Sequence, residues 1–489
     1  MRITITGGAG RLGQALAAHW QDTHQVRTVD AIPLPDGATS QEHLVGDLRD
    51  SAFAQQAIAD TDVLVHLAPI APAGSATTGD LNRLDVATRS TYHLMLAAPE
   101  AGVRTVVLGS TLDLFAAYPG AWRVTEQWIP QPAPTPAHLA PYLAECSARE
   151  LVRALPLRVV CLRLGEVVTG AEVKGQPFDG RWLHTEDAVQ AVERAVALTP
   201  TEEEPQTGWW VYHITAAGPR TRVPLEGATD TRLGYAPQHA FRAWWADDWQ
   251  HPPAAPPPPA VPSRPIRKVV IFGAGGPLAA AAAPLLTETH TVRLTDLLPL
   301  ADIIAANEPQ SPGAPLPVLF DPPHEAQVVD ITDYDQVLAA CAGMDAIVNC
   351  TVNRPHPVEA FRVNCLGAYN VMRAAVAQGI RRVVHTGPHL TGSGHNVGYN
   401  WDFDISADVP PRPGHWLYAH SKYLGHEVVR IFAESYDLEV PALYFGGFMN
   451  PVLHRPRSGG VGGLTISWND AGLAVRRALE APSLPPPHE

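Results

Sequence analysis

The sequence predicts an α/β protein built from two doubly wound parallel-sheet domains in tandem. Short apolar strands alternate with helical patterns through both halves, a pattern typical of βαβ units. The pattern of the N-terminus restarts in the second half, after a proline-rich segment. The chain has 489 residues, 46% of them hydrophobic, which is enough material for two sizeable cores.

The composition disfavours a nucleic-acid-binding protein or a membrane protein. The formal net charge is -14 and no basic face is apparent, so a nucleic-acid partner is not expected. No signal peptide is recognisable, and no run of about 18 apolar residues predicts a membrane span. The five cysteines lack CxxC spacing, which is typical of buried thiols in a reducing compartment. We therefore expect a cytoplasmic protein with neither nucleic acid nor membrane as a partner.

A proline-rich segment divides the chain. Residues 251–265 read HPPAAPPPPAVPSRP, and proline favours an extended, semi-rigid spacer. We predict a linker there, between a first domain over 1–250 and a second over 266–489. Substrate contacts are expected in the C-terminal part of each domain, about 157–250 and 439–489.

The two domains repeat one pattern. Each opens with a strand, a glycine-rich turn and an alanine-rich helix, followed by a strand that ends in an acid. The spacing from Gly7 to Asp30 equals the spacing from Gly273 to Asp296. Further matches follow in the same order, which indicates duplication of one unit. Pro284 lies inside the first helix of the second domain and predicts a kinked or shortened helix.

Each glycine-rich turn predicts a Rossmann-type dinucleotide site. Glycines let the backbone approach a pyrophosphate, and the following helix presents N–H groups and its positive end. The acid after the second strand accepts hydrogen bonds from the adenosine ribose and disfavours a 2′-phosphate, so NAD is predicted over NADP. Predicted contacts in the first domain are Gly7, Gly10, Arg11, Leu12, Gly13, Asp30, Asp47 and Leu48. Predicted contacts in the second domain are Gly273, Gly276, Pro277, Leu278, Asp296, Asp330 and Ile331.

Two details qualify the cofactor sites. Asp47 and Asp330 are expected beside the adenine, one strand after the ribose-binding acids. Ala279 replaces the third glycine in the second domain. The alternative is that one domain keeps the fold and binds nothing.

Several motifs together resemble the extended short-chain dehydrogenase/reductase family, the NAD-dependent epimerase/dehydratase group. They are TGGAGRLG at residues 6–13, the acid after the second strand, and YAHSK at residues 418–422. The resemblance covers nearly the whole chain, twice. It implies a tyrosine as acid/base and a lysine one helical turn later, which lowers the tyrosine pKa and holds the nicotinamide ribose. It also implies a Ser or Thr at the reacting oxygen and an Asn that supports the lysine.

The second domain matches the family at three of these four places. Tyr418 and Lys422 stand in the motif, and Asn364 stands at the supporting position. Pro388 occupies the place of the hydroxyl. The residues that could replace this hydroxyl are Thr386, Thr391 and His389.

The first domain shows the opposite pattern. Thr111 supplies the hydroxyl and Tyr142 the tyrosine, but Cys146 stands at the lysine position and Ala87 at the asparagine position. Without the neighbouring cation the tyrosine is a poor base at neutral pH. We therefore interpret the first domain as catalytically degenerate but still able to bind NAD.

No metal site is predicted. His385, His389 and His395 fall in a loop near the active site, and no carboxylate or cysteine joins them at ligand spacing. Residues 182–188 (WLHTEDA) resemble the family's apolar-His-x-x-Asp stretch, in which Asp187 is predicted to cap the next helix. Residues 467–471 (SWNDA) are the second-domain equivalent. Both stretches are interpreted as structural.

The predicted function is that of an NAD-dependent oxidoreductase, epimerase or dehydratase acting on a carbonyl or secondary alcohol of a small, sugar-like molecule, with its chemistry in the second domain. The alternative is a dinucleotide-binding sensor or scaffold without catalysis, favoured by the separate defects at Pro388 and Cys146. Family members commonly dimerise through the helix that carries the tyrosine. The resemblance therefore implies an intramolecular pseudo-dimer of the two halves.

Overall fold

The computed structural model divides the chain into two compact units, Met1–Pro256 and Pro257–Glu489. It describes residues 1–38, 40–70, 79–199, 208–216, 223, 226–229, 232–245, 250, 259–311, 313–389, 391, 411–449 and 465–482. Each unit contains a parallel sheet of the Rossmann type, so the predicted fold class is confirmed. None of the described helices combines the length and the apolar character needed to cross a membrane.

The first unit is organised around a parallel sheet. Its described strands β1 to β9 are Arg2–Thr6, Gln25–Asp30, Glu42–Val45, Val63–His66, Thr105–Thr111, Arg158–Leu164, Glu166–Val168, Trp182–His184 and Gly208–Ile214. In the described residues, seven of them form one sheet in the order β3-β2-β1-β4-β5-β6-β9, and β7 pairs with β8 in a small separate sheet. The order reverses between β1 and β4, which is where doubly wound folds bind ligands.

Helices cover the sheet of the first unit. The longer ones are Arg11–Trp20, Ser51–Ala57, Asp80–Asp85, Thr91–Glu100, Pro136–Val152 and Thr185–Ala197, and Glu226–Thr229 is a single short turn. A π-helical turn, Val86–Ser90, joins the third and fourth of these helices. The central strand β1 is buried from Ile3 onward, as expected of a parallel strand with layers on both faces.

The second unit repeats this plan. Its described strands β10 to β17 are Lys268–Phe272, Thr291–Asp296, Glu325–Val328, Ala346–Asn349, Arg382–Pro388, Ala442–Phe445, Gly447–Met449 and Thr465–Ser467. In the described part of this unit, six strands form a sheet in the order β12-β11-β10-β13-β14-β15, and β16 pairs with β17. Register is repeated as well, because Ile3 pairs with Val26 in one sheet and Val269 with Val292 in the other.

The helices of the second unit occupy equivalent places. Those in the described residues are Pro277–Thr287, Leu300–Ala306, Tyr334–Cys341, Glu359–Phe361, Gly367–Ala377, Leu417–Tyr436 and Trp468–Glu480. A π-helical turn, Arg362–Leu366, recurs before Gly367–Ala377. The helix Pro277–Thr287 contains Pro284 and still runs for 11 residues, so the predicted shortening is not observed.

Part of the predicted linker packs on the second unit. Residues 251–258 lie outside the described residues, whereas Val261 is buried. Its N–H donates to the Tyr436 carbonyl at 3.2 Å, and its own carbonyl accepts from Arg381 Nη1 at 2.9 Å. The described end of the proline-rich segment is therefore attached to the unit that follows it.

Candidate active site

The glycine-rich turn of the first unit is a close backbone approach. Gly7 has a φ of +71°, which glycine adopts at little cost. A Cβ on Gly13 would lie 2.5 Å from the Gly7 carbonyl oxygen. Gly10 is the N-cap of Arg11–Trp20 and has no side chain over the helix start. The turn thus leaves the helix N-terminus accessible to a pyrophosphate, and the residues present fit NAD.

The two acids predicted to hold the ribose lie against their glycine turns. In the first unit, Asp30 Oδ2 accepts the Ala9 N–H at 3.0 Å. In the second unit, Asp296 Oδ2 accepts the Gly275 N–H at 2.8 Å. Each carboxylate is half-buried at the end of its strand. The arrangement fits the predicted contact with an adenosine ribose in both units.

The two acids predicted beside the adenine are held by their own loops. The Arg49 Nε–H is shared between the two carboxylate oxygens of Asp47, at 3.0 and 2.9 Å. Burial acts to raise the pKa of Asp47, but the hydrogen bonds and charge of Arg49 outweigh it, and the pKa lies below its usual value. Asp330 Oδ1 accepts from both the N–H and the hydroxyl of Thr332, each at 2.8 Å. Neighbouring Leu48 and Ile331 are buried, so their side chains serve the core.

Arg11 and Leu12 differ in how they relate to the cofactor turn. Leu12 belongs to the hydrophobic core of the first unit. Arg11 is exposed, donates to the Val167 carbonyl at 2.7 Å and forms an ion pair with Glu172. The helix start is thereby tied to the segment after β6, where substrate contacts are predicted.

The second unit has a cleft of about 200 Å³ where its glycine turn meets the predicted catalytic helix. Gly273 has a φ of +79°, and a Cβ there would lie 2.9 Å from backbone atoms of Cys350 and Thr351. The described residues that line the cleft include Gly276, Pro277, Leu278, Ala279, Cys350, Thr351, Arg354, His389, Tyr418, Lys422, Phe445 and Trp468. None of the described lining residues is a carboxylate, whereas Arg354 and Lys422 are cations.

Lys422 is buried at the floor of this cleft, and its ammonium group binds backbone carbonyls. Nζ donates to the Thr351 oxygen at 2.7 Å and to the Thr386 oxygen at 3.2 Å. Burial lowers the pKa of Lys422 to about 8. The lysine therefore connects the ends of β13 and β14, the two strands that border the cleft.

The cation that acts on Tyr418 is Arg354, which the sequence did not single out. Burial raises the pKa of the Tyr418 phenol, and the charge and hydrogen bond of Arg354 oppose that rise. The guanidinium carbon lies 5.2 Å from the centre of the tyrosine ring. Arg354 and Tyr418 are far apart in the sequence, so only the fold reveals the pair.

Asn364 forms hydrogen bonds with the segment that carries Arg354. Its Oδ1 accepts the Asn353 N–H at 3.0 Å, and its Nδ2 donates to the Asn353 carbonyl at 2.7 Å. Nδ2 also donates to the Ser421 hydroxyl at 2.9 Å. Asn364 thus links the residue before Arg354 to the residue before Lys422. These hydrogen bonds join the two segments and do not involve the Lys422 ammonium group.

The structure separates the three candidates for the missing hydroxyl. Thr386 donates to the Asn349 carbonyl at 2.9 Å, and Thr391 donates to the Pro388 carbonyl at 3.0 Å. Both threonines are buried. Thr386 and His389 both line the cleft with Tyr418. His389 is half-buried and has Nδ1 within 3.3 Å of the Phe445 carbonyl.

The first unit has a different arrangement on its tyrosine helix, Pro136–Val152. Tyr142 and Cys146 are both buried, and Thr111 Oγ1 accepts the Asp113 N–H at 3.1 Å. Between the two predicted positions, Glu145 forms a buried ion pair with Arg163 at 2.8 Å. The cation near this helix is therefore neutralised by a carboxylate from the helix itself.

Comparison with known proteins identifies the family. The model of the NAD dependent epimerase/dehydratase family matches residues 3–185 and 269–447, together more than half of the chain. The predicted tandem duplication is confirmed, because each half carries its own match.

Two named relatives come from Haloferax volcanii. An L-arabinose 1-dehydrogenase (NAD(P)(+)) is 29% identical over 180 residues, which are 33% of this chain and 70% of that protein. An NAD-dependent glucose-6-phosphate dehydrogenase is 28% identical over 137 residues, which are 26% of this chain and half (50%) of that protein's length. Among solved structures, uronate dehydrogenase from Agrobacterium tumefaciens is 21% identical with a TM-score of 0.43, and covers 53% of this chain and 92% of that one. The two Haloferax volcanii proteins are named as NAD(P)(+)- and NAD-dependent dehydrogenases, in agreement with the predicted cofactor.

Proposed function

Because the chain belongs to the NAD-dependent epimerase/dehydratase family, we propose that its second unit is an NAD-dependent dehydrogenase of a sugar or sugar derivative. The observation that carries this proposal is the cleft in which the glycine turn at Gly276–Ala279 meets Tyr418. Both named relatives are dehydrogenases of a sugar or sugar phosphate, which favours oxidation of a hydroxyl over epimerisation or dehydration.

Binding of NAD is assigned to the backbone of the glycine turn and to Asp296. The start of the helix Pro277–Thr287 lines the cleft, where the backbone N–H groups of Leu278 and Ala279 and the helix dipole favour a pyrophosphate. Asp296 is held beside the turn by the Gly275 N–H. NAD, when bound, supplies the acceptor for the hydride.

The proton is assigned to Tyr418. Its phenolate oxygen accepts the proton of the substrate hydroxyl as the carbonyl forms, and Arg354 stabilises the negative charge of that phenolate. His389 lies in the same cleft and is placed to bind the reacting oxygen, in the role that a Ser or Thr has in the family. Lys422 holds Thr351 and Thr386 and contributes a buried positive charge to the floor of the cleft.

The first unit is proposed to bind NAD without catalysing the reaction. Its glycine turn and Asp30 keep the geometry of a dinucleotide site. Its tyrosine helix carries the neutralised pair Glu145–Arg163 and has Cys146 at the lysine position.

One observation favours a second candidate, a dinucleotide-binding sensor without turnover. The Lys422 ammonium is engaged by two backbone carbonyls, and Pro388 stands in place of the hydroxyl. Under this alternative the full chain binds NADH but oxidises no sugar.

Tyr418→Phe tests the proposal, with Tyr142→Phe as the matched control in the other unit. The full chain is assayed with NAD against free aldoses, sugar phosphates and sugar acids, and NADH formation is followed by absorbance. We expect Tyr418→Phe to lose about 10²- to 10⁴-fold in turnover, the usual contribution of a positioned acid/base, with NADH binding retained. Tyr142→Phe should turn over at the wild-type rate.

Two outcomes contradict the proposal in different ways. Equal turnover by wild type and Tyr418→Phe removes the assigned proton transfer. NADH binding by wild type with no turnover of any substrate class supports the sensor.

A further inference from the structure

Three potential metal-binding side chains converge in the first unit, outside either cofactor turn. They are His184, Glu186 and His239, and their donor atoms all lie within 4.8 Å of one another. In the described part of the chain, this is the one group of three or more histidine, cysteine or acidic side chains that meets this criterion. His239 Nε2 lies 2.9 Å from Glu186 Oε2, and the rings of His184 and His239 stack with centroids 3.7 Å apart.

Two of the three side chains lie where strand β8 meets the helix Thr185–Ala197. His184 ends strand β8 and is the N-cap of the helix Thr185–Ala197. Its side chain accepts the Glu186 N–H at 3.3 Å, which is long for such a bond. Glu186 follows in the first turn of the same helix and is exposed, so its carboxylate is able to turn toward the imidazoles.

The third ligand comes from a loop that is fastened to the same helix. Asp187 was predicted to cap this helix, but its two oxygens instead accept the N–H groups of Gln238 and His239, at 2.7 and 3.0 Å. One turn later, Gln190 both accepts from and donates to the backbone of Ala236, at 2.7 and 3.0 Å. These four hydrogen bonds fix the loop, so His239 is held over His184 without help from a ligand.

The cluster combines nitrogen and oxygen donors. An imidazole binds a metal ion through the lone pair of a ring nitrogen. Glu186 adds the negative charge that a divalent ion requires, and its exposure leaves a coordination position open to solvent.

The duplicated unit shows that the fold does not require these residues. At the equivalent helix start, Ser467 is the N-cap of Trp468–Glu480 and accepts the Asp470 N–H at 3.0 Å. Trp468 and Asn469 follow where the first unit has Thr185 and Glu186. Serine is among the preferred N-cap residues, so the cap that His184 provides does not by itself require a histidine.

We propose that His184, Glu186 and His239 bind a divalent transition-metal ion of the Zn²⁺ type in the first unit. Two imidazoles and one carboxylate are a ligand set that Zn²⁺ accepts, with a solvent molecule as the fourth ligand. Zn²⁺ holds its nitrogen ligands at about 2.0–2.1 Å, so the donors, which lie within 4.8 Å of one another, must close around it by rotation of the stacked imidazoles. The site stands independently of the catalytic cleft in the second unit.

The test is metal binding by the full chain without an affinity tag, after treatment with a chelator. Zn²⁺ is titrated calorimetrically, and Co²⁺ is added as a probe because its visible absorption reports ligand number and geometry. We expect one Zn²⁺ per chain in wild type and loss of that binding in His184→Ser and in His239→Asn. His184→Ser keeps a helix cap, since serine occupies the equivalent position 467.

Further variants sharpen the result. Glu186→Gln removes the charge and should weaken binding while leaving the Co²⁺ spectrum that of a two-nitrogen site. His24→Asn, a histidine of the same unit outside the cluster, should bind as wild type does. No Zn²⁺ binding by wild type, or equal binding by wild type and His184→Ser, would overturn the proposal. Sugar oxidation is not part of the readout, so the outcome is separable from that of Tyr418→Phe.

Discussion

Two cations, Arg354 and Lys422, line the cleft with Tyr418, whereas the sequence predicted that Lys422 alone would lower the pKa of the tyrosine. Lys422 lies one helical turn after Tyr418, as the motif requires, but its ammonium group is satisfied by the carbonyls of Thr351 and Thr386. Arg354 supplies the hydrogen bond and the charge that oppose the effect of burial on the phenol. At this scale the proposed chemistry depends on a residue that lies in a loop remote in sequence from the motif.

Arg354→Gln is expected to shift the pH dependence of sugar oxidation to higher pH. Arg354 favours the phenolate, so its removal raises the pKa of Tyr418, and less phenolate is present at any pH below that value. For each unit of increase, the rate on the rising limb falls by about tenfold. The measurement is kcat/KM against pH for the full chain.

Two further variants check that the effect is electrostatic. Arg354→Lys keeps a positive charge and should recover part of the shift. Arg362→Gln removes a surface arginine that pairs with Glu359, and its profile should match that of wild type. A lower rate with an unchanged rising limb in Arg354→Gln would show that the arginine serves binding and does not tune Tyr418.

At the scale of elements, the position of Tyr418 depends on how closely its helix approaches the π-helical turn Arg362–Leu366. Gly425 lies on the helix Leu417–Tyr436, and a Cβ there would lie 2.1 Å from the Asn364 carbonyl oxygen. The same contact region contains the hydrogen bond from Asn364 to Ser421. A glycine inside a helix costs about 1 kcal/mol relative to alanine, and here it allows two backbones to meet.

Gly425→Ala is therefore expected to destabilise the protein despite the better helix propensity of alanine. The methyl group must displace the π-helical turn, and such overpacking typically costs about 1–3 kcal/mol in the free energy of unfolding. Urea denaturation of the full chain measures it. The control is Gly447→Ala, where the nearest heavy atom is 3.6 Å from the added Cβ. Its stability should stay within about 0.5 kcal/mol of wild type. A Gly425→Ala variant as stable as the control would contradict the close approach.

At Pro284, tertiary packing overrides the local tendency of proline to end a helix. Proline removes one backbone donor, and the sequence predicts a kink or early end there. The helix instead continues to Thr287. It packs against Trp468–Glu480, and a Cβ on Gly472 would lie 2.6 Å from the Ala281 carbonyl oxygen. Burial of this alanine-rich helix between a sheet and a second helix offsets the lost hydrogen bond.

At the scale of the whole molecule, each unit has a hydrophobic core of its own. The first core gathers residues of its sheet and of the helices Arg11–Trp20 and Thr185–Ala197. The second core gathers the corresponding residues around Pro277–Thr287 and Trp468–Glu480. The internal pseudo-dimer predicted from the duplication stays a prediction, and it concerns surfaces outside both cores.

Cleavage in the proline-rich segment tests the pseudo-dimer. Limited proteolysis is directed at residues 251–258, and the product is analysed by size-exclusion chromatography. If the two halves contact each other as a family dimer does, they should co-elute at the size of the intact chain after cleavage. The buried Val261 should protect the end of the segment next to the second unit. Separate elution of the halves would refute the pseudo-dimer. It would not contradict the fold of either unit.

The sequence by itself determined the duplication, the parallel sheets and the place of each glycine turn. These features follow from local rules: apolar strands alternate with helices, positive φ favours glycine at Gly7 and Gly273, and an acid ends the second strand of each unit. Such patterns depend on residues that are close in the sequence, so they can be recognised without knowledge of tertiary contacts.

Only the tertiary structure decided which side chains meet. Arg354 reaches Tyr418 across 64 positions of chain, His239 reaches His184 from a separate loop, and Arg163 neutralises Glu145 from the next strand. Hydrogen bonds to Asn364 and Asp187 hold the segments that carry Arg354 and His239. The physical reason is that charge and hydrogen bonding act through space over a few ångströms, whereas sequence spacing reports only neighbours within an element.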